Sequence, residues 1–166
     1  QHKLDLAPAK GQELCAHAPG LDLYVDRWTA GRADGLKISI DEALQGTRFR
    51  FDNPNAPPPV QPMSVRDLKA NLDAGVPMEL IDVRGPGERA TASIPGARMW
   101  DEATDRHLDS LPKNSMIVFH CHKGGRSQRA AEYLRGKGFT NVHNVTGGID
   151  AWSQEVDRGM RRYKLG

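Results

Sequence analysis

The feature that most constrains the fold is a short apolar run that ends in a glycine-containing loop. Residues 117–120 read Ile-Val-Phe-His, a run rich in β-branched and aromatic residues that is typical of a buried strand. Gly124 and Gly125 interrupt the run, and good helix formers with apolar residues at helical spacing follow Ser127. The pattern therefore predicts a strand, a tight loop and a helix, with Cys121 at the end of the strand.

Cys121 is predicted to lie where a thiolate is stabilised. Backbone N–H groups of a glycine-containing loop can form an anion-binding concavity, and the following helix points its positive end at the same place. Lys123 and Arg126 add positive charge. Such surroundings lower the pKa of a thiol below its usual value of about 8.5, and the thiolate is the nucleophilic form. We therefore predict that Cys121 is a catalytic nucleophile; the alternative is a buried structural cysteine.

Four stretches resemble motifs of the rhodanese family of sulfurtransferases, and they occur in that family's order across residues 63–157. They are an opening strand, an Ile-Pro-Gly-Ala turn, the cysteine loop with its following helix, and a closing Gly-Gly motif, at residues 80–84, 94–97, 121–139 and 144–152. The resemblance implies a rhodanese-like α/β domain with an open, mainly parallel sheet flanked by helices. Strand and helix patterns alternate over the same residues, which favours this fold class independently.

The same resemblance implies that Asp82 and Arg84 support the architecture of the site, as a structural ion pair or a loop cap. Two departures from the family pattern stand out. Arg89 follows Glu88, where the family often has an aromatic residue, and residues 92–93 are Ala-Ser where the family usually has Gly-His. Both lie away from the cysteine loop, so we expect them to change packing or access rather than the type of reaction.

The resemblance implies that the chain is an enzyme, a thiosulfate sulfurtransferase that works through a persulfide on Cys121 without a cofactor. The sulfane sulfur would come from thiosulfate or a persulfide donor and pass to a thiol such as glutathione, glutaredoxin or thioredoxin. Six residues are expected to form the loop that binds the donor and the terminal sulfur: His122, Lys123, Gly124, Gly125, Arg126 and Ser127. The two cations among them, Lys123 and Arg126, are expected to favour an anionic donor.

Other functions remain open at this stage. Cysteine-based phosphatases resemble His-Cys-x5-Arg, whereas only four residues separate Cys121 from Arg126, so a phosphatase or arsenate reductase is the less favoured enzyme. A non-catalytic sulfur carrier or docking module of a larger redox or iron–sulfur protein is a further alternative. His120 and His122 flank the cysteine, but adjacent residues on a turning loop seldom converge on one ion, so no metal is predicted.

The residues before the rhodanese-like stretch have a different character. Residues 1–20 are polar, with Cys15 as a spare exposed thiol or, alternatively, a resolving partner for Cys121. Three alternating apolar and polar runs follow in residues 21–56 and predict a small β-rich unit of about three antiparallel strands.

Residues 53–56 of that unit are Asn-Pro-Asn-Ala and resemble a segment of A-type iron–sulfur carrier proteins. That family places a Cys-Gly-Cys cluster just after this segment, whereas three prolines follow here at residues 57–59. We therefore predict a degenerate module that serves interaction or packing and assign no cluster to it.

The remaining boundaries follow from composition. Residues 57–62 form a proline linker, and residues 158–166 form a basic tail that is expected to be solvated, or else to dock an acidic partner.

A net charge of +2 without a basic tract argues against nucleic-acid binding, and the absence of a long apolar run argues against a membrane span. Two cysteines are too few for a disulfide framework, which favours a reducing cytoplasm. The first residue is Gln1 rather than methionine, so the chain is expected to be a fragment of a longer protein.

Overall fold

A computed structural model describes residues 14–18, 21–25, 34–43 and 46–163 of the chain, which divides into two units, Gln1–Ala56 and Pro57–Gly166. The first unit contains two antiparallel hairpins. Strand β1 (Leu14–Ala18) pairs with β2 (Leu21–Val25), and β3 (Lys37–Ala43) pairs with β4 (Gly46–Asp52).

The β-rich character predicted for the first unit is confirmed, but its organisation differs from the prediction. The predicted strands belong to two separate two-stranded sheets, and β1 lies in the polar segment 1–20, where no strand is predicted. Only Pro19 and Gly20 separate β1 from β2 in the sequence, which is the spacing of a two-residue hairpin. The strand was missed because two of its five residues are alanines, which have weak strand propensity.

The second unit is built on one parallel sheet, which confirms the predicted fold class. Its strands are β5 (Gln61–Met63), β6 (Glu79–Asp82), β7 (Arg98–Met99), β8 (Ile117–His120) and β9 (Val142–Val145), in the order β5-β9-β8-β6-β7. All of its strand pairs are parallel. Strand β8 is central and every residue in it is buried, as the apolar run predicted.

Helices cover both faces of this sheet. They are α1 (Val65–Asp73), α2 (Pro86–Thr91), α3 (Glu102–Ser110), α4 (Gly125–Gly136) and α5 (Gly148–Glu155). Apolar residues of α1 and α5 pack with Leu80 and Val118 on one face, and those of α3 and α4 pack with Ile81 and Phe119 on the other. Neighbouring residues of one strand thus face opposite layers, as strand geometry requires. No helix among residues 14–18, 21–25, 34–43 and 46–163 is long and apolar enough to cross a bilayer.

Three local features differ from expectation. Gln61 and Pro62, predicted to be linker, form β5 with Met63; proline is tolerated there because β5 is an edge strand. Helix α2 was not predicted, since it is six residues long and buries none of them. Helix α4 begins at Gly125, three residues before Gln128, the first of the predicted helix formers.

The topology determines where the site forms. Strands β6, β8 and β9 run parallel, so their carboxyl ends, at Asp82, His120 and Val145, meet at one edge of the sheet. In open α/β sheets this edge is where ligands bind. Cys121 directly follows β8 at this edge.

Candidate active site

The Cys121 sulfur is buried and surrounded by hydrogen-bond donors. The residue is only 1% exposed, and its Sγ accepts hydrogen bonds from the Gly124 N–H at 3.1 Å and the Ser127 hydroxyl at 3.3 Å. Burial alone raises the pKa of this thiol. Hydrogen bonds from the Ser127 hydroxyl and from the N–H groups of Ser127, Gly124 and Lys123 outweigh that effect, so the pKa lies below its usual value. The arrangement favours the nucleophilic thiolate.

Gly124 gives the loop its curvature. It caps α4 with a φ of +102°, a left-handed conformation that residues with a side chain rarely adopt. This turn aims the backbone N–H groups at the thiol and places the positive end of α4 beside it. The N–H groups of Lys123, Gly124 and Ser127 in the predicted loop therefore lie around the Cys121 sulfur.

Helix α5 holds the outer side of the same loop. The Ile149 N–H donates to the Cys121 carbonyl at 2.9 Å, and the Asp150 N–H donates to the His122 carbonyl at 3.0 Å. Gly148 makes this approach possible, because a Cβ on it would lie 2.4 Å from the Cys121 carbonyl oxygen. With its carbonyls bound to α5, the loop turns its N–H groups inward towards the sulfur.

Replacing Gly148 with alanine is expected to displace the cysteine loop from α5. The position has a φ of +56° as well as the steric conflict, so we expect the free energy of unfolding to fall by about 2–4 kcal/mol. Chemical denaturation measures the loss. Gly87→Ala is the matched control, because open space surrounds that glycine and its φ is not positive. Equal stability of the two variants would contradict this account of the loop.

Asn144 orients the Ser127 hydroxyl. The Ser127 Oγ lies 2.7 Å from Asn144 Oδ1, 3.1 Å from the Gly124 carbonyl oxygen and 3.3 Å from Cys121 Sγ. Asn144 is itself fixed because its Nδ2 donates to the Gly124 carbonyl and to Gln128 Oε1. A hydroxyl has one proton, so only one acceptor receives it at a time. A charged Sγ is the strongest acceptor of the three, and the hydroxyl turns to it when the thiolate forms.

Ser127→Ala is expected to slow alkylation of Cys121 at pH 7. The thiolate forms as pH rises, so losing a donor that lowers the pKa moves the midpoint of the pH–rate profile to higher pH. Loss of one charge-assisted hydrogen bond predicts a rate about three- to tenfold lower. The measurement is iodoacetamide alkylation across pH, followed on the Cys121 peptide. Ser153→Ala is the control, since its buried hydroxyl donates to the Asp150 carbonyl instead; a midpoint that does not move in Ser127→Ala would refute the role.

Arg126 is paired with a carboxylate, contrary to its expected role as a cation facing the donor. Its guanidinium donates two hydrogen bonds to the oxygens of Glu88, both 2.7 Å long. The hydrogen bond from Arg126 lowers the pKa of Glu88 to about 2, so the carboxylate is charged at neutral pH. Lys123 is exposed, and no ion pair joins it to a carboxylate among the residues that the structure describes.

Asp82 and Arg84 form a buried ion pair beneath the loop. The Arg84 Nε and Nη2 donate to the two oxygens of Asp82 at 2.9 and 2.7 Å, and both side chains are 0% exposed. Arg84 also donates to the Ala92 carbonyl at 2.8 Å, beyond the end of α2. The pair thus ties the end of β6 to the segment that carries Glu88.

The sequence predicts a solvated basic tail, but two residues of the tail, Arg162 and Tyr163, make specific contacts in the structure. Arg162 pairs with Asp150 at 3.0 Å, and the Tyr163 hydroxyl donates to Glu88 at 2.9 Å. The Tyr163 ring stacks on His122, with centroids 4.6 Å apart. His122, expected at the mouth of the loop, is therefore covered on one side by a residue 41 positions away.

His120 is fully buried beside Asp82. Burial lowers its pKa to about 4, so the imidazole is neutral at physiological pH although Asp82 Oδ2 lies 3.7 Å away. Within the described ranges, no three His, Cys, Asp or Glu side chains lie where they could share a metal ion. Cys15 lies exposed on β1 in the first unit, and Cys121 belongs to the second.

Three residues that contribute to the site were not predicted as site residues: Glu88, Asn144 and Tyr163. Asn144 opens the last of the four stretches that resemble the family, whereas Glu88 lies between the first two. The polar character of each residue was the available signal. Tyr163 carries no signal in the sequence, because a single aromatic residue in a basic tail has no pattern around it.

Comparison with known proteins agrees with the fold. The family model described as "Rhodanese-like domain" matches residues 64–155. The Bacillus subtilis "Putative sulfurtransferase YtwF" is 37% identical over 100 residues, which are 58% of this chain and 94% of that protein. A crystal structure of a rhodanese-like domain protein from Staphylococcus aureus superposes with a TM-score of 0.51 and 30% identity, covering 63% of this chain and all of the other.

Larger relatives contain the same domain. The Arabidopsis thaliana "Rhodanese-like/PpiC domain-containing protein 12, chloroplastic" is 36% identical over 114 residues, 63% of this chain but 38% of its own length. The chain thus spans well under half of that relative. The family model covers more than half of this chain, and the four motifs, strands β6 to β9 and the cysteine loop all lie inside the match. The chain therefore belongs to the rhodanese-like domain family.

Proposed function

We propose that this protein is a sulfurtransferase that carries a sulfane sulfur as a persulfide on Cys121. The observation that carries the proposal is the buried Sγ of Cys121, which lies within a ring of N–H and O–H donors that lower its pKa. A sulfur atom added to Sγ would bear negative charge close to the same donors. The names of relatives such as the putative sulfurtransferase of B. subtilis support the same reaction class.

The proposed reaction has two displacement steps. The Cys121 thiolate attacks the outer sulfur of thiosulfate, an Sγ–S bond forms, and the S–S bond of thiosulfate breaks as sulfite leaves with the electron pair. The persulfide then loses its terminal sulfur to an acceptor thiolate, which restores the Cys121 thiolate and yields a persulfide of the acceptor. Both steps balance without an added oxidant or cofactor.

Lys123 supports the choice of an anionic donor such as thiosulfate, because no carboxylate among the described residues neutralises it. Thiols such as glutathione, glutaredoxin or thioredoxin are suitable acceptors, since each presents a thiolate that can attack the terminal sulfur. A reducing compartment such as the cytoplasm would keep Cys121 available for the cycle.

The experiment is intact-mass spectrometry of the protein after incubation with thiosulfate, and separately with glutathione persulfide. We expect a gain of one sulfur atom that dithiothreitol reverses, and peptide mapping should place it on Cys121 rather than Cys15. Steady turnover with glutathione as acceptor supports an enzyme, whereas loading without turnover indicates a sulfur carrier. Absence of loading from both donors contradicts the proposal, and hydrolysis of p-nitrophenyl phosphate or reduction of arsenate would then indicate the other class of cysteine enzyme.

A further inference from the structure

Tyr163 contacts the rim of the cysteine loop although it lies outside the residues that match the family. Its ring stacks on the His122 imidazole with an interplanar angle of 25°, and its carbonyl oxygen lies 3.1 Å from His122 Nε2. His122 is the residue next to Cys121. The Tyr163 side chain, from the tail, therefore covers the loop on the side where His122 lies.

The hydroxyl of Tyr163 reaches the other side of the loop. Arg84 Nη1 donates to this hydroxyl at 2.8 Å, and the hydroxyl donates to Glu88 Oε1 at 2.9 Å. The same Glu88 oxygen accepts a hydrogen bond from Arg126. Tyr163 thus spans the rim from His122, at the start of the loop, to the carboxylate that holds Arg126 near its end.

The tail is held in this place by further contacts. Arg162 pairs with Asp150 of α5, and Met160 and Tyr163 pack against the core on the α1 and α5 face. The cavity that remains between the tail and α5, lined by His122, Asp150 and Tyr163 among others, has a volume of only about 10 Å³. Cys121 is 1% and His122 is 5% exposed. Tyr163 therefore lies on the rim next to a buried thiol, where its side chain can affect the approach of a donor.

We propose that Tyr163 is a specificity-determining residue, whose ring narrows the approach to the Cys121 sulfur so that small donors react in preference to bulky ones. The inference rests on the proposed function and deepens it by naming the class of donor. Thiosulfate consists of one sulfane sulfur on a compact sulfonate, whereas glutathione persulfide carries a tripeptide that must fit beside the His122 and Tyr163 rings. A rigid wall discriminates against added bulk because the packed side chains cannot yield without losing their contacts.

The test compares Tyr163→Phe, which keeps the stacked ring and loses the hydroxyl, with Tyr163→Ala, which loses both. The readout is kcat/KM for glutathione persulfide divided by kcat/KM for thiosulfate. We expect Tyr163→Ala to raise this ratio about fivefold or more, as removal of a steric wall does, and Tyr163→Phe to leave it within about twofold. Tyr133→Ala is the matched control, since that tyrosine lies on α4 and is 52% exposed.

A second readout does not depend on sulfur transfer. The rates at which iodoacetamide and a bulky fluorescein maleimide modify Cys121, followed on its own peptide, report access to the thiol directly. In Tyr163→Ala, the rate of modification by the maleimide should rise relative to the rate with iodoacetamide. Unchanged ratios in folded Tyr163→Ala overturn the inference, whereas a wild-type protein that accepts sulfur from neither donor overturns the proposed function alone. Tyr163→Val, which keeps an apolar side chain against the core, repeats the test if the alanine variant does not fold.

Discussion

Cys121→Ser should abolish sulfur transfer, with kcat/KM falling by about a thousandfold or more, the size of loss seen when a nucleophile is removed. A serine hydroxyl is almost fully protonated at neutral pH and cannot form a persulfide. The donors that hold Sγ, from Gly124 and Ser127, remain in place and suit an oxygen as well. We therefore expect the variant to stay folded while losing reactivity. The measurement is the initial rate with thiosulfate and cyanide, together with the mass after exposure to thiosulfate.

The control for this prediction is Cys15→Ser, which removes the other cysteine and should retain activity. Circular dichroism of both variants tests that the fold is kept. Appreciable sulfur transfer by Cys121→Ser would mean that the sulfur is carried elsewhere, and loss of activity in Cys15→Ser would assign the first unit a part in the reaction.

Asp82→Ala should lower the free energy of unfolding by about 3–5 kcal/mol, the cost of leaving one charge of a buried pair without its partner. Arg84 would retain its guanidinium charge at 0% exposure but lose both carboxylate hydrogen bonds. Burial alone raises the pKa of Asp82, and the hydrogen bonds from Arg84 outweigh it, so the pKa lies below the usual value and the carboxylate is charged at neutral pH. Chemical denaturation at pH 7 measures the loss.

The matched control is an exposed pair on α1, in which Lys69 and Asp73 lie one helical turn apart and are 46% and 61% exposed. Asp73→Ala should cost less than about 1 kcal/mol, because solvent screens an exposed ion pair. Similar losses in the two variants would show that Asp82 and Arg84 contribute no more than a surface pair. A large loss confined to Asp82→Ala would show that the buried pair contributes more to stability than the surface pair does.

Much of the fold could be predicted because its signals are local. The apolar run of β8, the two glycines after Cys121 and the helix formers of α4 are neighbours in sequence, so the strand, loop and helix follow from short-range pattern. The two alanines of β1 and the short, exposed α2 gave weak patterns, and both elements were missed. Pro62 indicated a linker, since only its place at a sheet edge makes proline acceptable in a strand.

The parallel α/β architecture, the family and the position of Cys121 at the carboxyl end of a central strand could all be predicted from local patterns. The charges and side chains that surround the cysteine loop could not, because they depend on contacts between distant residues. Glu88 and Arg126 are 38 residues apart, and His122 and Tyr163 are 41 apart. No local pattern records that these pairs meet, because the contacts form when the parallel strands bring distant loops to one edge of the sheet. That long-range packing pairs Arg126 with Glu88, leaves Lys123 without a carboxylate partner among the described residues, and places Tyr163 against His122, the neighbour of Cys121.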